Sequence, residues 1–72
     1  MEHFPERLKE CRKKKGLTQK ECAKKLGMTE TAYQRYEYRT RKPEIEKLIA
    51  MADYFDVSLD YLVGRSDNPK RL

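Results

Sequence analysis

Residues 26–37 read LGMTETAYQRYE. Gly27 closes one apolar-periodic run, and Thr29 stands two residues later as the N-cap of the next. A chain that stops one helix and starts another within three residues must turn the second sharply across the first. Two short helices joined by such a turn make a helix-turn-helix, here over about residues 18–38. Met28 is the apolar plug of the turn, and Ala23 is small where the two helices cross. Tyr33 and Tyr36 are spaced to anchor the second helix inward. Its opposite face carries Glu30, Thr31, Gln34 and Arg35.

The rest of the chain is punctuated in the same way. Phe4, Leu8 and Cys11 predict a first helix over about residues 5–15, with Pro5 in its first turn and Gly16 past its end. Thr18 and Glu21 form a capping box, T-x-x-E, for a second helix that runs to about Leu26 and buries Cys22, Ala23 and Leu26. The third runs from Thr29 to about Tyr38. Ile45, Leu48, Ile49, Ala52 and Phe55 predict a fourth, with Pro43 in its first turn. Ser58 caps a short fifth helix carrying Leu59, Leu62 and Val63, which Gly64 closes. No alternating run of β-branched residues predicts a strand. The expectation is an all-α domain of five helices over residues 1–65 and a polar tail over 66–72.

Size and charge narrow the function. A chain of 72 residues buries only roughly 60% of its unfolded surface, which suits one helical core and a shallow functional face rather than a deep cleft. Residues 1–42 hold 13 Lys/Arg against 6 Asp/Glu, a net of +7, whereas residues 43–72 hold 4 against 6, a net of −2. That asymmetry favours a polyanion-facing half, with nucleic acid first in line. Cys11 and Cys22 fall on apolar helical positions and read as buried reduced thiols. With one histidine and no C-x-x-C, neither a metal site nor a cofactor is expected. Glu37, Asp53, Asp56 and Asp60 lack a histidine partner, a phosphate loop or a metal cluster, so the chain does not read as an enzyme. No apolar run nears the ~18 residues of a membrane span and no secretory h-region opens the chain, so a cytoplasmic location is expected.

The stretch LTQKECAKKLGMTETAYQRYE is similar to the helix-turn-helix of the phage-repressor and Cro family, also called XRE-like, at Gln19, Ala23, Gly27, Met28, Tyr33, Tyr36 and Glu37. RKPEIEKLIAMADYFDVSLDYLVG, residues 41–64, resembles the fourth and fifth helices of that family. The resemblance implies a compact five-helix, lambda-repressor-like domain that binds operator DNA as a two-fold dimer. It assigns Glu30, Thr31 and Arg35 to base reading, with Gln34 as a fourth reader. Arg35 suits a guanine and Glu30 a cytosine amino group. Phosphate contacts are assigned to Gln19, Thr29, Thr40, Arg41 and Lys42, and a structural ion pair to Arg12 and Glu37. The family places a glycine near position 39. Here Arg39 stands in YEYRTRKP, so either this end takes another cap or a residue carries left-handed strain of order 1 kcal/mol.

The function expected is therefore a sequence-specific double-stranded DNA-binding transcriptional regulator, a repressor on a near-palindromic operator. The competing reading is a protein-interaction module, an antitoxin or adaptor on the same fold. In that family the region after helix four and helix five carry the two-fold contact, so Leu59 and Leu62, with Pro43 alongside, are expected to form a small self-complementary patch, too small for a dimer that persists without DNA.

Overall fold

The computed structural model describes residues 2–71. Met1 and Leu72, the outer ends of the expected domain and tail, lie outside the described residues. Among the described residues five helices follow one another: α1 (Phe4–Lys14), α2 (Gln19–Lys25), α3 (Glu30–Glu37), α4 (Ile45–Phe55) and α5 (Leu59–Leu62). No strand occurs among the described residues.

Capping chemistry explains the starts. Thr18 Oγ1 accepts from the Glu21 backbone N–H at 3.1 Å, and Glu21 Oε1 accepts from the Thr18 N–H at 2.9 Å, which closes the capping box. Thr29 and Ser58 cap α3 and α5 by accepting from Ala32 and Tyr61. Each bond satisfies one of the N–H groups that a helix start leaves without a partner. Between α2 and α3, Gly27 takes φ of +71°, which a residue without Cβ adopts at no steric cost.

The core is one cluster fed by all five helices. Phe4, Leu8 and Cys11 of α1 meet Cys22 and Ala23 of α2, Tyr33 and Tyr36 of α3, Met51 and Ala52 of α4, and Tyr61 and Leu62 of α5. Phe4 and Tyr36 pack edge to face with ring centroids 6.4 Å apart. Cys11 and Cys22 are buried free thiols, and burial pushes the pKa of both up.

Four expectations need correction. Pro43 is not in the first turn of α4. It precedes the N-cap Glu44 and is buried. The buried stripe of α4 is Leu48, Met51, Ala52 and Phe55, while Ile45 and Ile49 are 53% and 47% exposed. The apolar positions of α4 exceed the width of one inward face, and the adaptable Met51 takes the inward place that the spacing gave to the isoleucines. The patch expected of Pro43, Leu59 and Leu62 is not an open surface, because Leu62 is fully buried, Pro43 is buried and Leu59 is half-buried. A helix of four residues packed on α1 and α4 turns its apolar side chains inward.

The last correction concerns the tail. Residues 66–71 are irregular but docked. Arg7 donates to the carbonyls of Tyr61 and Ser66 at 3.1 and 3.0 Å and pairs with Asp67 at 2.7 Å, its guanidinium 4.1 Å from the Tyr61 ring centre. The Ser58 N–H donates to the Pro69 carbonyl, and Arg71 pairs with Asp53 at 2.6 Å.

Candidate nucleic-acid interface

α3 presents two faces. Tyr33 and Tyr36 are buried, and Glu30, Thr31 and Arg35 on the other side are exposed, with Gln34 half-buried among them. At 3.6 residues per turn these four fall on one side of the helix, opposite the tyrosines. Tyr38, four residues after Gln34, belongs to the same side and is 60% exposed. The i+4 spacing of Tyr38 from Gln34 is the sequence signal that marks it as part of this face.

Glu37 fastens this helix from beneath. Its carboxylate accepts from Arg12 Nε at 2.7 Å and Arg12 Nη2 at 3.2 Å, from Gln19 Nε2 at 3.1 Å, and from the Tyr33 hydroxyl. The remaining Arg12 Nη1 donates to the Leu17 carbonyl at 2.9 Å. The paired side chains are 11% and 2% exposed. Burial alone would raise the Glu37 pKa; the hydrogen bonds from Arg12, Tyr33 and Gln19 outweigh it and hold the carboxyl below the usual range. Hydrogen bonding to Glu37 raises the Arg12 pKa, against the effect of its own burial. Burial and the bond to Glu37 push the Tyr33 phenol far up, so it stays a donor.

Gln19 carries this anchor to the surface. While its Nε2 donates to Glu37, its Oε1 accepts from Gln34 Nε2 at 3.0 Å and from the Tyr38 hydroxyl at 3.2 Å. A buried ion pair, the start of α2 and the outer side of α3 are thus one hydrogen-bonded unit. Gln34 Nε2 also donates to Glu30 Oε2 at 3.5 Å.

The α3–α4 loop closes on α1. Arg39 takes φ of +66°, the left-handed conformation, where the family pattern has glycine. Its guanidinium donates to the Glu2 carbonyl at 3.1 Å and pairs with Glu6. Arg41 and Lys42 then line a cleft of about 340 Å³ against Phe4 and Pro5. Both are exposed, and no carboxylate pairs with either among the described residues. Thr40 is exposed, and its N–H and hydroxyl donate to the Arg35 carbonyl at 3.0 and 3.3 Å, tying the loop to the end of α3. Thr29 caps α3 at the opposite end. The expected base-reading and phosphate-contacting groups therefore come from α2, α3 and the two loops that flank α3.

Residues 8–62 match the family model described as helix-turn-helix. Three proteins of Bacillus subtilis (strain 168) are similar to this chain. The "Uncharacterized HTH-type transcriptional regulator YqaE" is 49% identical over 67 residues, covering 93% of this chain and 58% of the relative. The "Uncharacterized HTH-type transcriptional regulator YobD" is 39% identical over 66 residues, covering 92% and 59%. The "HTH-type transcriptional regulator ImmR" is 39% identical over 65 residues, covering 90% and 51%. The chain thus spans between about half and three-fifths of the length of these relatives.

Proposed function

The chain belongs to the helix-turn-helix family, and from that premise we propose that it is a sequence-specific double-stranded DNA-binding transcriptional regulator. The observation that carries this reading is the outer side of α3. Glu30, Thr31, Gln34 and Arg35 stand on a helix held rigidly by two buried tyrosines and the Glu37 hydrogen bonds. A helix so held fits the major groove, whose width admits one α-helix and whose base edges are distinguishable. Arg35, an exposed guanidinium, suits the O6 and N7 of a guanine. Thr29, Arg41 and Lys42 supply the phosphate contacts that set its register, while Gln19 and Thr40, whose side chains bond within the protein, hold α3 and the loop after it in place.

The mode of action proposed is repression in the cytoplasm, by occupying a near-palindromic operator as a homodimer. No helix among the described residues is long and apolar enough to cross a membrane. With Leu62 and Pro43 buried, the two-fold contact falls to the exposed Ile45 and Ile49. Two isoleucines bury far less than the ~1,200 Å² of a stable interface, so pairing occurs on DNA rather than before it. Half-sites one turn apart, about 34–36 Å, follow from the two-fold axis.

Titration of a labelled duplex pool at several salt concentrations tests this reading, followed by selection of bound sequences. The expected result is an enriched common sequence with two inverted halves. A pool that stays random after selection overturns it.

A further inference from the structure

The outer side of α3 has a hydrogen-bonding polarity. Gln34 uses both N–H groups of its side-chain amide inside the protein, donating to Gln19 Oε1 at 3.0 Å and to Glu30 Oε2 at 3.5 Å. Gln19 cannot turn its amide round to release them. Its Nε2 is held by Glu37, and its Oε1 accepts from Tyr38 as well as from Gln34. The group left to Gln34 is therefore Oε1, to which nothing donates among the described residues. Glu30, one turn earlier, offers the acceptor oxygens of a carboxylate. No lysine or arginine pairs with it among the described residues.

We infer that Glu30 and Gln34 form an all-acceptor edge that selects amino bases over keto bases at two positions of each half-site, with cytosine ahead of adenine. The inference rests on the reading of α3 as the groove-entering helix. Major-groove amino groups belong to cytosine N4 and adenine N6, whereas guanine O6 and N7 and thymine O4 are acceptors. An acceptor facing an acceptor leaves both desolvated and without a partner, so guanine and thymine are rejected. A glutamine with a free amide takes adenine by giving one N–H to N7 and accepting from N6. Here the donor half is already engaged. Adenine N7 then faces an oxygen, and cytosine, which has no acceptor beside its amino group, fits better. The Gln19 amide thus acts as a positioning residue that sets which half of Gln34 meets the base.

Selection from a random duplex pool, run with the unaltered chain and with Glu30→Gln, Gln34→Ala and Gln19→Ala, tests this. The unaltered chain is expected to enrich cytosine, then adenine, at two positions, with guanine and thymine depleted about 5- to 100-fold. Glu30→Gln moves one of these positions toward adenine. Gln34→Ala removes the preference at the other. Gln19→Ala, which returns the donor half to Gln34, moves that second position from cytosine to adenine. Circular dichroism establishes that each variant is folded, and the surface substitution Gln34→Ala keeps the test decisive if Gln19→Ala is not. A clear common sequence in which the positions altered by these variants favour guanine or thymine, or in which no position responds to them, overturns the inference and leaves the DNA-reading proposal standing. The absence of any common sequence for the unaltered chain overturns both.

Discussion

Gln19 and Glu37, separated by 18 residues in the chain, meet side chain to side chain, Gln19 Nε2 donating to Glu37 Oε1 at 3.1 Å. The contact joins the first residue of α2 to the last residue of α3. It puts the Arg12–Glu37 pair two hydrogen bonds from Gln34 on the outer side of α3. One carboxylate therefore links the buried ion pair to the side of α3 proposed to read DNA.

The first prediction concerns pH. The folded-state pKa of Glu37 is depressed, so the pair's contribution is present above the unfolded value of about 4.3 and is lost as pH falls through the lower folded value. The Arg12 pKa is raised, so its share holds at every lower pH and fades only in strong base. Glu37→Ala strands a buried guanidinium and is expected to cost about 3–5 kcal/mol at pH 7. Denaturant midpoints measured from pH 7 down to pH 2 should show the gap between wild type and Glu37→Gln closing below about pH 4.3. A gap constant with pH would mean the carboxylate charge contributes nothing.

The second concerns position 39. Arg39 holds a left-handed φ of +66°, which costs a non-glycine residue of order 1 kcal/mol. Its pair with Glu6 is exposed, 56% and 49%, and is worth at most about 1 kcal/mol. Arg39→Gly and Arg39→Ala both lose the pair, but only Ala keeps the strain. Gly is expected to be the more stable of the two by about 1 kcal/mol, or roughly 4–8 °C in melting temperature for a domain this small. Ala melting above Gly would contradict the backbone geometry.

These two cases mark what was legible in the sequence. The caps at Thr18, Thr29 and Ser58 were readable because capping links residues three apart, and such chemistry is local. The five helices followed. The inward edge of α4 was not, because Ile45 and Ile49 share the period of Leu48 and Ala52, and only packing against α5 and into the shared core decides which edge turns in. The docking of Ser66 and Asp67 on Arg7 spans 59 and 60 residues and has no local signature. The resemblance supplied the Arg12–Glu37 pairing, and no spacing rule would have found it. The sequence marks Gln19 as a phosphate contact alone. Its bonds to Gln34, Glu37 and Tyr38 depend on the crossing of α2 and α3, which no single helix encodes.

The third prediction separates core from contact surface. Leu62 is fully buried and Ile49 is 47% exposed. Leu62→Ala should cost about 2–5 kcal/mol by opening a cavity. Ile49→Glu should leave helicity and melting nearly unchanged while removing cooperative occupancy of two half-sites. Equal cooperativity in Ile49→Glu and wild type would move the two-fold contact elsewhere.

The fourth concerns the cleft beside α1. Lys42 is exposed and pairs with no carboxylate among the described residues. Lys42→Ala should weaken binding to all duplex sequences alike and reduce the slope of log K against log salt by about one unit. A loss confined to one sequence would assign Lys42 to base reading instead.

The central claim is that the outer side of α3 lies in the major groove, and methylation of guanine N7 probes that groove directly. On a selected duplex, prior methylation should block wild-type binding at one guanine in each half-site, the guanine that Arg35 contacts. Arg35→Ala should bind about 1–3 kcal/mol more weakly and no longer respond to methylation at that guanine. A selected duplex whose binding ignores every methylated guanine, or an Arg35→Ala protein with the same interference pattern as wild type, would contradict it.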